Sequence, residues 1–242
     1  MDTEPQIMKL NKEIALMATA HELNQPIGII RAATSAALQD LAEGLFEPHE
    51  IEPLLKRILA QSDRLAAIID NFRKFARGDR TQREEINLNI MVNRVVNQFS
   101  VQFQQHNIDL QLETIEPSPI VWANLYQLEE VLINLLTNAR DALETTPNAQ
   151  VIVKTWHNLQ GESGFTVSDN GPGVPVEYQP EIFLPFVSSK STHKGTGLGL
   201  YISWCIIKEF DGQLNYQDNP TGGACFTVTL PPMEKVKDGT NV

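Results

Sequence analysis

The 242-residue chain predicts an all-α helical hairpin followed by an α+β sandwich domain. Three observations predict it. Residues 4–77 carry apolar side chains at three-and-four spacing and almost no strand pattern. Residues 84–232 mix helical and strand patterns without βαβ regularity, which suits helices on one face of a mixed sheet. Between them Arg77-Gly78-Asp79-Arg80 reads as a short polar linker. The expected boundaries are 1–80 for the hairpin and 81–232 for the sandwich, with 233–242 a disordered polar tail.

The hairpin opens with Ile7, Leu10, Ile14 and Met17. A second stripe runs through Leu16, Leu23, Ile27, Ile30, Leu38, Leu41 and Leu45, and Gly44 and Pro48 punctuate it. Ile51, Leu54, Leu55, Ile58, Ser62, Leu65, Ile69, Phe72 and Phe75 then form a heptad-like seam. Two helices bury little by themselves, so the seam predicts a homodimer closed as a four-helix bundle. In the second domain the patterns predict helices over 88–105, 124–144 and 197–209. They predict strands over 108–113, 119–122, 150–157, 163–169, 213–217 and 223–230, with a Gly/Pro/Ser-rich connection over 170–196. No internal repeat is visible.

Composition narrows the function. Apolar residues make up 42% and charged residues 20%, as in an ordinary globular protein. The net charge of −11 speaks against a nucleic-acid surface, which would be basic. It leaves nucleotide binding open, because phosphates are neutralised locally. Cys205 and Cys225 have no metal or redox spacing and read as two buried thiols of a reducing compartment. No stretch approaches the roughly 18 apolar residues of a membrane span, and no signal peptide is visible, so no membrane contact is expected.

Four features in one segment carry chemistry. Asp169-Asn-Gly171-Pro-Gly173 sits where a strand is predicted to end. Alone it is a good turn sequence. A carboxylate fixed there can also accept from an exocyclic amine, and the glycines let backbone approach a flat ring. Gly195-Thr-Gly197-Leu198-Gly199 opens a predicted helix, where free amides and the helix dipole suit an anion. Its spacing is not that of a dinucleotide fold. Asn134 and Asn138 share one face of a helix, and an amide oxygen there can ligate Mg²⁺. Lys190, in the predicted lid Ser188–Lys194, can pair with a phosphate or be a plain surface lysine.

Far upstream stands His21-Glu22-Leu23-Asn24-Gln25-Pro26. At about 100° per residue, the upstream stripe would bury His21 about 20° from Ile14, whereas the downstream stripe turns it about 160° from Leu23. Pro26 lies between the two and can kink the helix.

Taken together and in order, the boxes Asn134–Ala139, Asp169–Gly173, Phe183–Phe186, Gly195–Gly199 and Gly222–Phe226 resemble the ATP-binding fold of histidine kinases, type II topoisomerases, Hsp90 chaperones and MutL-type proteins. The resemblance implies that Asn138 holds Mg²⁺ and that Asp169 reads adenine. Asn134, Gly171, Gly173, Lys190, Gly195, Gly197, Leu198 and Gly199 would complete the ATP site. ATPase members carry a glutamate at the place of Asn134, and an amide cannot be a general base, so slow hydrolysis is expected.

With His21 included, residues 10–232 resemble a sensor histidine kinase of two-component signalling. The Asn-Gln-Pro ending is similar to the group of dicarboxylate and oxygen sensors. The resemblance implies autophosphorylation of His21, with Glu22 taking or orienting the imidazole proton, and transfer to an aspartate of a response regulator. Gln25 stands where many relatives place Thr or Asn for dephosphorylating that partner. Asp141, beside Arg140, replaces a lysine common there. The expected location is the cytoplasm, either free or as the cytoplasmic part of an inner-membrane sensor. Two other readings compete: an ATPase or ATP-gated clamp of the same fold, and a catalytically silent dimeric scaffold.

Overall fold

The computed structural model describes residues 3–76, 82–187, 197–220 and 222–233, with the side chains of 3–22, 67 and 70–76 left aside. The chain divides into two compact units, the first built on two long helices and the second on the remaining elements.

In the first unit, α1 (Thr3–Glu43) and α2 (Ile51–Ala76) form the expected hairpin. Pro26 lies inside α1, and the chain is helical on both sides of it. Gly44 ends α1 in the left-handed region at φ 69°, a conformation that glycine adopts without a Cβ penalty. The Leu45 and Phe46 N–H groups then both donate to the Asp40 carbonyl. A short 3-10 turn, Pro48–Glu50, leads into α2, and the Glu47 N–H donates to Glu50 Oε2 at 3.0 Å. The seam residues stay largely uncovered within one chain. Leu38 is 62% exposed, Leu41 57% and Leu55 59%, whereas Ala37, Gln61 and Ile68 are buried.

The second unit is a five-stranded mixed sheet packed against three helices. Its strands are β2 (Asp109–Glu113), β4 (Gln150–His157), β5 (Ser163–Asp169), β6 (Gln213–Asp218) and β7 (Ala224–Leu230), in the order β2-β4-β5-β7-β6. Only β2 and β4 run parallel. The helices are α3 (Leu88–Gln105), α4 (Leu125–Ala142) and α5 (Gly199–Glu209). Asn87 and Asn124 cap α3 and α4 by accepting from the Ile90 and Gln127 N–H groups, which satisfies otherwise orphaned donors. Leu132, Leu135 and Leu136 of α4 are buried, as are Val151, Val153, Phe165 and Val228 of the sheet.

Three features depart from expectation. A strand β1 (Glu84–Asn87) pairs antiparallel with β3 (Ile120–Ala123) in a separate two-stranded sheet. No strand was expected there, because only Ile86 is apolar in that stretch. A 3-10 turn, Gln179–Glu181, interrupts the long connection after β5. Of the two cysteines, Cys225 is buried but Cys205 is only half-buried, and neither is in a disulfide.

The entry into this unit is clamped. Arg83 donates to the Glu209 carbonyl at the end of α5 and lies over the Phe210 ring at 5.3 Å. Asn124 Nδ2 donates to the Gln82 carbonyl at 3.3 Å. The expected tail lies almost wholly outside the described residues, as do Arg77–Arg80.

Candidate functional site

Asp169 is the last residue of β5, and it is 4% exposed. Its Oδ1 accepts from the Gly171 N–H at 2.9 Å and from the Ala224 N–H at 3.2 Å. Among the described residues Oδ2 accepts no hydrogen bond, so only one carboxylate oxygen is held there. Burial pushes the carboxyl above its ordinary range, while the two backbone donors pull it down.

The backbone around Asp169 has no room for side chains. A Cβ on Gly223, at φ 96°, would lie 2.1 Å from the Asp169 carbonyl oxygen. One on Gly171 would lie 3.0 Å from Asp169 Oδ1. Gly173 takes φ 73° and faces the Gly223 carbonyl. Asn219 Nδ2 donates to the Asp169 carbonyl at 2.8 Å. Phe226 in β7 meets Phe183 edge-on at 6.5 Å.

Asn134 and Asn138 project from α4, both half-buried. Asn134 Nδ2 donates to the Gly199 carbonyl and to Ser203 Oγ, each at 3.3 Å, and so ties α4 to the first turn of α5. Asn138 has no recorded side-chain bond among the described residues. Arg140 donates through Nε and Nη2 to Asp141 Oδ1, so these two neighbours are paired with each other. Gly197 takes φ 65°, Leu198 is buried, and Gly199 begins α5. Lys190 and Gly195 lie outside the described residues. His21 and Glu22 are on the α1 backbone, but their side chains are not among those described. Gln25 is exposed one turn on.

The Asp169 turn and the Asn134–Gly199 contact thus belong to one unit. Ser203, Asn219, Tyr216 and Gln179 also serve this region and were not foreseen. Only Ser203, a hydroxyl inside an apolar helix and fully buried, carried any signal in the sequence.

Comparison with known proteins agrees with this arrangement. Residues 123–234 match the family described as histidine kinase-, DNA gyrase B-, and HSP90-like ATPase. Residues 12–81 match the His Kinase A (phospho-acceptor) domain. The catalytic domain of histidine kinase ThkA is 31% identical with a TM-score of 0.56, over 64% of this chain and 99% of that one. The chain belongs to the histidine kinases.

Within that family, the C4-dicarboxylate transport sensor protein DctB of Rhizobium meliloti is 32% identical over 217 residues, which cover 87% of this chain and 33% of that protein. This histidine kinase chain spans about a third of the length of the curated relatives it first matches, 33% and 34%. A structure of ThkA in complex with response regulator protein TrrA shares the fold, with 23% identity and a TM-score of 0.69 over 96% of this chain. The second unit of the chain is therefore an ATP-binding domain of this family, joined to a phosphoacceptor-type hairpin. No described helix is long and apolar enough to cross a membrane.

Proposed function

We propose that the chain is the catalytic core of a two-component sensor kinase, which phosphorylates its own His21 from ATP and passes the phosphoryl group to an aspartate of a response regulator. The observation that carries this reading is Asp169. A buried carboxylate with one oxygen fixed by two backbone N–H groups, and the other without a donor among the described residues, suits the exocyclic amine of adenine. The glycines 171 and 223 leave no Cβ where the ring and the carboxylate must approach.

The chemistry follows from positioning. An imidazole nitrogen of His21 attacks the γ-phosphorus, the bond to the ADP oxygen breaks, and the imidazole proton passes to Glu22. A neutral imidazole needs no large shift to act near pH 7. Asn138, half-buried and without a side-chain hydrogen bond among the described residues, has the oxygen donor that Mg²⁺ prefers and would hold the ion. Bound Mg²⁺ would neutralise phosphate charge. Lys190 and the Gly195–Gly199 loop, with Leu198, would face the phosphates. Asn134 has no carboxylate to activate water, which keeps the γ-phosphate for the histidine. Gln25, exposed one turn from His21, is suited to orienting a water during dephosphorylation of the partner.

The exposed Leu38, Leu41 and Leu55 support dimerisation through the hairpin 1–80, while residues 81–232 act as the catalytic domain. The partner is a receiver domain that carries the acceptor aspartate, and the working location is the cytoplasm.

Incubation with γ-labelled ATP tests the reading. Wild type should give acid-labile protein label, and His21→Gln should give none while still binding ATP. Steady release of free phosphate without labelled protein would favour an ATPase instead. Neither product would leave only a scaffold.

A further inference from the structure

The loop that carries Asp169, Gly171 and Gly173 is braced at both ends by strand β6 and the turn that follows it. At the first end, Asn219 Nδ2 donates to the Asp169 carbonyl. At the second end both polar groups of the Val174 residue are held. Its N–H donates to Tyr216 Oη at 3.1 Å, and its carbonyl accepts from Gln179 Nε2 at 2.9 Å. One carboxylate oxygen joins these two grips, because Asp218 Oδ1 accepts from Tyr216 Oη and from Gln179 Nε2. The Tyr216 ring is itself held, 5.4 Å from the Phe226 ring. Asp218 stands opposite Ala224 in the β6–β7 register, and Ala224 is the residue whose N–H fixes Asp169 Oδ1.

We propose that Tyr216, Asp218 and Gln179 are positioning residues for the nucleotide, which hold Val174, and with it the Gly171–Gly173 turn, in the ligand-ready shape before ATP arrives. The inference rests on the nucleotide reading above. A turn rich in glycine has much freedom to lose. Fixing its exit beforehand removes an ordering cost from the binding step. An edge-strand tyrosine would ordinarily leave its hydroxyl in water. Here the hydroxyl is spent on a loop amide 42 residues away.

The test uses the full chain and Mg·ATP. Tyr216→Phe keeps the ring and removes only the hydroxyl. It should weaken Mg·ATP binding in calorimetry on the order of three- to tenfold, the size of one neutral hydrogen bond. The ATP concentration for half-maximal His21 labelling should rise in step, with the labelling rate at saturating ATP unchanged. Amide hydrogen exchange over 170–179 should quicken in the free protein and return to the wild-type rate once ATP saturates the site. Gln179→Met provides a second variant with an intact sheet. Because both grips share Asp218, the double variant should lose less than the sum of the singles. Wild-type affinity in both variants, or an equal loss of saturated rate, overturns the positioning role. Failure of the wild type to bind ATP at all overturns the nucleotide reading instead.

Discussion

The side-chain amide of Asn134 donates to the carbonyl of Gly199 at 3.3 Å, so this residue is a strut between α4 and α5. The same Nδ2 reaches Ser203 Oγ, which is fully buried. An oxygen in place of that nitrogen would face the Gly199 carbonyl, acceptor against acceptor. Asn134→Asp should therefore lower the stability of the ATP-binding domain by about 1–3 kcal/mol. Urea unfolding followed by far-ultraviolet circular dichroism measures it. An unchanged midpoint would mean that this contact is dispensable.

Asp169→Asn should separate stability from binding. The amide oxygen can still accept from Gly171 and Ala224, but its NH₂ would meet the adenine amine donor to donor. Nucleotide affinity should fall by at least about tenfold, or about 1.4 kcal/mol. The unliganded protein should be no less stable at neutral pH, since the neutral amide escapes the cost that burial puts on a charged carboxylate.

The same group sets a pH dependence. Because burial raises its folded pKa, the native state keeps the Asp169 proton to a higher pH than the unfolded chain does. Its contribution to stability is fully present below the ordinary carboxylate value and is lost as pH rises through the raised one. ATP affinity moves oppositely and weakens on acidification, since the protonated oxygen donates rather than accepts. Unfolding and ATP titrations from about pH 3.5 to pH 7 should show both trends, each flattened in Asp169→Asn. Identical pH curves for variant and wild type would exclude this assignment.

Gly223→Ala tests the closeness of backbone to backbone. At φ 96° the new Cβ would sit 2.1 Å from the Asp169 carbonyl oxygen, with no flexible side chain to yield. The domain should lose more than about 3 kcal/mol or fail to accumulate folded, while Gly222→Ala, with open space around it, should cost less. Equal effects from the two would contradict the geometry.

Leu41 and Leu55 provide a test of assembly. Each is more than half exposed in a single chain, so a charge there costs a monomer little. In a four-helix bundle the same charge would be driven into the seam. Leu41→Lys together with Leu55→Lys should turn a dimer into monomers by analytical ultracentrifugation at micromolar protein. A wild-type monomer with full helicity, or a variant that remains dimeric, would refute the bundle.

How much of this was legible depended on the range of the forces involved. Helix α3 and strands β4 and β5 stand where periodicity placed them, because one buried face dictates each pattern. Strand β1 escaped, since Glu84, Glu85 and Asn87 have no strand signature and take their conformation from β3. At the site, Asp169 and its glycines were readable because a tight turn writes itself into neighbouring residues. Their braces were not. Ser203 lies 69 positions from Asn134, and Asn219 lies 50 from Asp169. The hydroxyl of Ser203 stands out in an apolar helix, but nothing local names its partner, and nothing local marks Asn219 at all.

The clamp at Arg83 determines where this chain can be severed. A fragment that begins at Arg80 keeps the guanidinium on the Glu209 carbonyl and the Phe210 ring, together with the Gln82 carbonyl that Asn124 engages. A fragment that begins at Leu88, the first residue of α3, would look tidier on a diagram. It would discard the whole of β1, leave β3 without a pairing strand and bare the end of α5. The seam between the two halves of the protein therefore falls before the residue at which the first regular structure of the second half begins, and domain exchange with another sensor should be spliced there.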